Sequence, residues 1–200
     1  HDLCRRQRQM CIRDSSMPGM MDSVLNIGLN DSNVFQLAEA FNDERFALDS
    51  YRRLIQMYSN VVLGVEHERF EAVLANKKRM DNVVSDADFN VDQLNWIINA
   101  YKNTVERFTD SLFPQDPYEQ LTGAIEAVFN SWQNKRAVIY RKINNIPDSW
   151  GTGATIQTMV FGNLNDKSGT GVAFTRNPSN GDKELYGEYL INAQGEDVVA

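Results

Sequence analysis

The 200 residues carry 20 Lys and Arg against 27 Asp and Glu, a formal net charge of −7, and 42% of them are hydrophobic. This acidic balance argues against general binding to nucleic acid or to an anionic membrane, but it leaves an anionic small ligand open. No apolar run approaches the roughly 20 residues that span a bilayer, and no signal peptide is evident. The totals predict one ordinary domain, or one large domain cut short.

The first fifteen residues differ in composition from the rest of the chain. They hold four arginines, no lysine and both cysteines, Cys4 and Cys11, and they follow neither a period of 2 nor one of 3.6. A basic arm that grips phosphate is one interpretation. The run R-Q-R-Q-M-C-I-R-D-S also resembles translated sequencing adapter, so we predict that residues 1–15 are a non-native arm. Two cysteines without a C-x-x-C suit a reducing compartment, and we expect a cytoplasmic protein without a zinc site.

Residues 16–28, S-M-P-G-M-M-D-S-V-L-N-I-G, begin with the turn dipeptide Pro18–Gly19. Gly19 permits close approach of the backbone to a ligand. Met20 and Met21 are flexible side chains of the kind found at adaptable binding surfaces. Two interpretations stay open: a loop that closes over a ligand, and an ordinary turn that enters the core.

Residues 30–145 are predicted to be mainly helical. Apolar stripes at spacings of three to five predict helices at residues 43–63, 66–80 and 91–108, and a further helix after Asp116. Asp43 and Asp116 are suited to N-capping, and Pro117 follows at the favoured first position. The face of that last helix expected to be buried consists of Leu121, Ile125, Val128, Phe129 and Trp132.

The hydrophobic period changes to two after Gly153, so residues 154–200 are predicted to be mainly strand. We expect strands at residues 154–161, 169–175 and 185–192, joined by turn-rich connections that indicate antiparallel hairpins. Helices followed by antiparallel strands form an α+β fold.

Polar residues in this region raise the hypothesis of an anion or nucleotide site. The amide of Gln157 both donates and accepts, as adenine recognition requires. Arg176, beside Thr175 at the end of the second predicted strand, presents a planar fork of donors that suits phosphate. The alternatives are a Gln157 that faces solvent and an Arg176 that pairs with an acid such as Glu188.

Five long motifs make the chain similar to a known family. They are S-M-P-G-M-M-D at 16–22, F-A-L-D-S-Y-R-R-L-I-Q-M-Y at 46–58, Q-T-M-V-F-G-N at 157–163, S-G-T-G-V-A-F-T-R-N-P-S at 168–179 and L-Y-G-E-Y-L-I-N-A-Q-G-E-D-V-V-A at 185–200. They resemble the pyruvate, phosphate dikinase family over nearly all of residues 16–200. The related phosphoenolpyruvate synthases have F-A-G-Q-Q-D/E-T in place of M-P-G-M-M-D-S, which favours the phosphate-dependent family.

The resemblance implies a partial ATP-grasp nucleotide-binding domain, in which a helical insert precedes antiparallel strands. The family enzyme converts ATP, phosphate and pyruvate into AMP, pyrophosphate and phosphoenolpyruvate through a phosphohistidine carrier. The carrier and pyruvate domains belong to the full-length chain, so no catalytic residue is expected in this fragment. We expect it to be inactive alone and to bind little or no ATP.

The resemblance also implies partners and cofactors. ATP and Mg²⁺ are expected, with the Mg²⁺ ligands beyond Ala200. The expected partners are a nucleotide and the phosphohistidine domain of the same full-length chain, in a homodimer, without nucleic acid or membrane. An organelle is the alternative to the cytoplasm.

Candidate ATP-binding residues follow from the resemblance by position. A flexible loop that covers the triphosphate would contain Gly19, Met20 and Met21. The strand near adenine would contain Gln157, Thr158 and Met159. Thr175 and Arg176 lie in a signature motif of the family, and the resemblance assigns neither residue a specific role.

The chain departs from the family pattern before Met17. The family has S-V-R-S-G-A-R-A-S there, and its first arginine contacts the ATP phosphates, whereas this chain has M-C-I-R-D-S-S. That role is not carried onto Arg13, and the lysine expected further upstream is missing. The alternatives to a fragment of this family are a fragment of phosphoenolpyruvate synthase (pyruvate, water dikinase) and a non-catalytic helical binding module.

Overall fold

A computed structural model describes residues 21–198. The chain divides after Gln157 into two compact units, of which the first is helical and the second contains a β-hairpin. A fold of helices and a two-stranded antiparallel sheet agrees with the α+β class predicted from the sequence. No helix in this part of the chain has the length and apolar character needed to cross a membrane.

Among its described residues, the helical unit contains six α-helices and two short 3₁₀ turns. The helices are α1 Val34–Phe41, α2 Glu44–Val61, α3 His67–Asp81, α4 Val91–Thr109, α5 Pro117–Asn130 and α6 Lys135–Ile143. The 3₁₀ turns lie at Asp86–Asp88, before α4, and at Ser131–Gln133, between α5 and α6.

Side-chain caps mark the starts of α2, α4 and α5. The Asp43 carboxylate accepts from the Phe46 N–H at 2.9 Å, and Asp116 accepts from the Tyr118 N–H at 2.8 Å ahead of Pro117. Both caps were predicted from the sequence. A capping box of Asn90 and Gln93 at the start of α4 was not predicted, although its residue types are those of the motif.

The core of the helical unit lies between α2 and α4. Leu54, Ile55 and Tyr58 of α2 are buried in one cluster with the apolar face of α4. The α4 members are Leu94, Ile97, Ile98, Tyr101 and Val105. Phe70 of α3 meets Tyr101 edge to face, with ring centroids 5.0 Å apart. The sequence periodicity therefore identified most of the buried faces of α2 and α4, although Phe108, in the predicted stripe of α4, is 44% exposed.

The buried face of α5 differs from the prediction. Its fully buried residues are Gln120 and Ala124, whereas Leu121, Ile125 and Val128 are half-buried and Phe129 is 48% exposed. Trp132 is buried as predicted, but in the following 3₁₀ turn.

The hydrogen bonds of the Gln120 side chain explain why α5 buries a different face from the one predicted. Its Oε1 accepts from the Gly28 N–H at 2.8 Å, and its Nε2 donates to the carbonyl oxygens of Leu29 at 3.0 Å and Pro114 at 2.8 Å. Because unpaired polar groups in the interior are costly, the face that carries this amide turns inward and the bulkier apolar residues turn partly outward.

A buried ion pair lies on α2. Arg52 is 3% exposed and its Nη2 lies 2.8 Å from Asp49 Oδ1 and 3.6 Å from Asp86 Oδ2. Its Nη1 donates to Gln56 Oε1 at 3.3 Å, and that oxygen also accepts from the Tyr101 hydroxyl at 3.2 Å. Burial is the largest single influence on the pKa of Asp49 and raises it. The charges and hydrogen bonds of Arg52 and Arg53 together lower the pKa by more than burial raises it, so the pKa lies below the ordinary value.

The second unit contains β1 Gly169–Phe174, β2 Tyr186–Ile191 and the short helix α7 Gly195–Val198. The strands pair antiparallel, with Val172 opposite Glu188. This agrees with the antiparallel hairpin predicted from the turn-rich connection between them. Side chains of β2 are exposed along its whole length.

The prediction of a strand at residues 154–161 is wrong. This segment forms no ladder with another described strand, and Ile156 and Val160 are 65% and 90% exposed. Alternation of residue types indicates a strand only when a neighbouring strand supplies hydrogen-bond partners. The described residues provide no such partner for this segment.

We expect substitution of Gln120 by Ala to destabilise the helical unit by about 2–3 kcal/mol, since three backbone groups lose their partner. Urea unfolding of the 200-residue chain measures the effect. The matched control is Gln36→Ala, an exposed glutamine within α1, which should change stability by less than about 0.5 kcal/mol. Equal effects of the two substitutions would contradict the role assigned to Gln120.

We expect Asp49→Asn to cost about 3 kcal/mol of unfolding free energy at pH 7, because it leaves the Arg52 guanidinium buried without its closest charge partner. Glu66→Gln is the control, since Glu66 pairs with Arg69 at the surface, where both side chains are at least 40% exposed. That substitution should cost less than about 1 kcal/mol. A loss at Asp49 no larger than the loss at Glu66 would refute the buried-pair assignment.

The Asp49 pair also predicts a pH dependence. Because the folded pKa of Asp49 is below its unfolded value, the stability that it contributes is present above about pH 4 and is lost as the pH falls through the folded pKa. The stability difference between the wild type and Asp49→Asn should therefore shrink as the pH is lowered from 5 to about 2. Urea unfolding at a series of pH values tests this, and a difference that stays constant would contradict it.

Candidate functional site

The candidate loop residues fall at the edge of the described chain. Met21 is half-buried in a bend and is the first of the described residues. Gly19 and Met20 lie outside the described residues. The structural setting of this candidate group is therefore given by Met21 and by the residues that follow it.

Asp22 is held by three side chains that lie in or near the connection between α5 and α6. Its N–H donates to Ser131 Oγ at 3.3 Å, and its Oδ2 accepts from Asn134 Nδ2 at 2.9 Å. Its Oδ1 forms an ion pair with Arg136. We call this group the Asp22 clamp; it consists of Asp22, Ser131, Asn134 and Arg136. It joins positions more than 100 residues apart in the chain.

Further hydrogen bonds fasten the segment that follows Asp22 to the helical unit. The Leu25 N–H donates to Met57 Sδ at 3.3 Å, and the Asn26 amide donates to the Ser50 carbonyl at 3.3 Å. Asn26 and Gly28 have φ values of 60° and 103°, in the region that favours Asn and Gly. The bond from Gly28 to Gln120 completes the attachment to α5. These polar contacts were not predicted from the sequence.

A small cleft of about 180 Å³ lies beside the Asp22 clamp. Its lining is Asp22, Val61, Val62, Gly123, Glu126, Ala127, Asn130, Ser131 and Asn134. The backbone of α5 approaches α2 closely here, since a Cβ on Gly123 would fall 2.4 Å from the Tyr58 hydroxyl. None of the predicted ATP-binding residues that the structure describes lines this cleft.

Gln157 is the last residue of the first unit. Its side chain is exposed and lies in the segment without strand pairing. The structure thus agrees with the alternative in which Gln157 faces solvent, and its amide is accessible to a ligand.

The other candidates belong to the second unit. Thr158 is exposed and Met159 is half-buried, both ahead of β1. Thr175 and Arg176 are exposed and directly follow β1. Arg176 Nη1 donates to the Gly181 carbonyl at 3.3 Å within the turn that leads to β2, whereas the Glu188 carboxylate accepts from the Tyr186 hydroxyl at 3.4 Å. The hydrogen bond described for Arg176 thus goes to a carbonyl and leaves the guanidinium at the surface.

The chemistry of these side chains fits a nucleotide better than a metal ion. An amide suits an adenine edge, and a hydroxyl and a guanidinium suit phosphate oxygens. Within residues 21–198, no group of three or more His, Cys, Asp or Glu side chains could hold a metal ion. The described residues therefore provide donors for a nucleotide but no ligand set for Mg²⁺.

Comparison with known proteins agrees with this chemistry. Residues 12–200 match the family described as pyruvate phosphate dikinase, AMP/ATP-binding domain. The match begins at residue 12 and so includes the last four residues of the predicted non-native arm, residues 1–15.

Similar curated proteins are named pyruvate, phosphate dikinase. The protein of Rhizobium meliloti (strain 1021) is 56% identical over 186 residues, which is 93% of this chain and 21% of that protein. The protein of Clostridium symbiosum is 54% identical over 187 residues, again 93% and 21%. The protein of Mesembryanthemum crystallinum, named chloroplastic, is 54% identical over 185 residues, 92% of this chain and 19% of that protein.

This chain thus spans about a fifth of the length of the curated relatives that it matches. The family inferred from the sequence motifs is confirmed by the match over residues 12–200 and by relatives that share more than half of the aligned residues. The chain belongs to the pyruvate phosphate dikinase AMP/ATP-binding domain family.

Proposed function

We propose that this chain is part of the nucleotide-binding domain of a pyruvate, phosphate dikinase. The parent protein would convert ATP, phosphate and pyruvate into AMP, pyrophosphate and phosphoenolpyruvate. The observation that carries the proposal is the family match over residues 12–200 together with 56% identity to a protein of that name. The names of these relatives favour this reaction over that of phosphoenolpyruvate synthase.

We propose an ATP-grasp fold for the complete domain, of which the hairpin β1–β2 would be one part. The exposed apolar side chains of β2 support this proposal. Tyr189, Leu190 and Ile191 are 75%, 45% and 60% exposed; since consecutive strand residues point to opposite faces, both faces carry exposed apolar side chains, as is typical of a sheet that packs against further structure. Strands or helices from outside the described residues would supply that structure.

The residues of this chain would bind and orient ATP. Gln157 and Thr158 would contact the adenine, with Met159 packing against it. Arg176, with Thr175 beside it, would offset phosphate charge. Gly19, Met20 and Met21 would cover the triphosphate, where a glycine allows the backbone to approach the phosphates. In phosphoryl transfer such positioning and charge neutralisation provide almost all of the catalysis.

The partners and cofactors of the intact protein are part of the same proposal. Mg²⁺ would accompany ATP, bound by residues after Ala200, and would stabilise the charge that develops on the phosphates. A phosphohistidine domain of the same full-length chain would accept the phosphoryl group, in a homodimeric protein. We propose the cytoplasm as its location, with a plastid as the alternative, since two relatives are named chloroplastic.

The test is an assay of the full-length gene product for pyrophosphate formation. We expect turnover to require ATP, pyruvate and phosphate together, because phosphate is the second phosphoryl acceptor of the proposed reaction. Phosphoenolpyruvate formation without added phosphate would favour a pyruvate, water dikinase instead. A protein without either activity would leave a non-catalytic binding module as the better account.

The Arg176 assignment is tested in the same assay. Arg176→Ala should raise the KM for ATP about tenfold or more, because a hydrogen bond to a charged group contributes about 1.5–3 kcal/mol. The control is Arg79→Ala, since Arg79 is an exposed arginine of α3 that donates to Asn76 Oδ1. It should leave the KM for ATP within twofold of the wild type. Equal effects at both positions would remove Arg176 from the proposed site.

A further inference from the structure

The Asp22 clamp holds the backbone and the side chain of one residue at the same time. The Ser131 hydroxyl donates to the Val128 carbonyl at 2.7 Å, so its proton is engaged and its oxygen accepts the Asp22 N–H. The two carboxylate oxygens of Asp22 are bound separately, one by Asn134 and one by Arg136. With its N–H and both oxygens bound, Asp22 has little freedom to rotate.

The 3₁₀ turn that contains Ser131 of the clamp is firmly held. Ser131 is 2% exposed, and the neighbouring Trp132 is packed under the Arg141 guanidinium, whose carbon lies 4.1 Å from the Trp132 ring centroid. Arg141 is itself buried and donates to the Trp132 carbonyl. The 3₁₀ turn Ser131–Gln133 is therefore held by contacts that do not involve Asp22.

We propose that Asp22 is a positioning residue for ATP binding, which fixes Met21 against the helical unit through Ser131, Asn134 and Arg136. The inference rests on the proposed function, in which Met21 contacts the triphosphate region. Adjacent Cα atoms are about 3.8 Å apart, so a fixed Asp22 confines Met21 to a small volume. A displacement of about 1 Å in a binding group is enough to change affinity or rate by an order of magnitude or more.

The clamp contributes little to folding, which separates positioning from stability. The Asp22 and Arg136 side chains are 21% and 50% exposed, and ion pairs exposed to this degree stabilise proteins weakly. The chain from Leu25 to Gly28 stays attached by its own hydrogen bonds to α2 and α5. Loss of the Asp22 carboxylate should therefore release Met21 and leave the helical unit intact.

Steady-state kinetics of the full-length gene product test this inference. We expect Asp22→Ala to raise the KM for ATP about tenfold, with the KM for pyruvate unchanged within twofold. Arg136→Ala should act in the same direction. The double substitution should raise the KM for ATP no more than twofold beyond Asp22→Ala alone, since both remove the same ion pair. A purely structural role would instead affect both substrates and the melting temperature together.

Asp31→Ala is the matched control. Asp31 lies on the same segment of chain as Asp22, but its ion-pair partner is Lys102 of α4, which is not part of the Asp22 clamp. It should leave the KM for ATP within twofold of the wild type. Should Asp22→Ala fail to fold, Asp22→Asn keeps the side-chain shape and removes only the charge, and should raise the KM for ATP about threefold.

Two outcomes overturn different conclusions. An active protein whose KM for ATP is unchanged by Asp22→Ala, or is raised as much by Asp31→Ala, would overturn the positioning role alone. A wild-type protein that forms no pyrophosphate would overturn the proposed function, and this inference with it.

Discussion

The amide of Gln120 is the contact on which the described structure most depends. It connects three stretches of chain, the segment at Gly28 and Leu29, the turn at Pro114 and helix α5, through hydrogen bonds of 2.8–3.0 Å. Because the amide is fully buried, water cannot replace any of its three hydrogen bonds. Loss of one therefore leaves a costly unpaired group. This constraint explains why α5 turns a polar residue inward and leaves Phe129 48% exposed.

The same constraint determines where the chain after Asp22 runs. Gly28 meets Gln120 with a φ of 103°, which a glycine adopts without strain, and Asn26 reaches the Ser50 carbonyl from a left-handed conformation. These bonds attach an irregular segment to α5 through the Gly28 backbone and to α2 through the Asn26 side chain. The segment therefore depends less on its apolar side chains than a reading of hydrophobic periodicity suggests, although Val24 and Ile27 pack against the core.

The sequence was most informative where one regular element determined the outcome. The helices α2 and α4, with the Asp43 and Asp116 caps, follow from spacing and cap chemistry that are local in the chain. The face of α5 could not be predicted, because its polar partners at Gly28 and Leu29 lie about 90 residues away in sequence. The strand at 154–161 failed for the related reason that a strand needs a partner, and alternation does not reveal whether one exists. The ATP-binding candidates came from family motifs, since no local pattern distinguishes an exposed Gln157 that binds adenine from one that faces water.

The positions of the candidates indicate what the helical unit contributes. The proposed ATP-binding residues fall before Asp22 or after residue 156, so the helices between them provide none. What the helical unit does contain are long-range bonds to the chain next to Met21: those of Ser131, Asn134 and Arg136 to Asp22, and that of Gln120 to Gly28. The bonds to Asp22 are an inefficient source of stability, because the ion pair there is partly exposed. They are, however, an effective way to fix the direction in which a chain leaves a rigid surface, because three separate donors and acceptors determine an orientation where one would leave rotation free. The polar contacts of Asp22 are thus better explained by placement of the segment at Met21 than by folding energy.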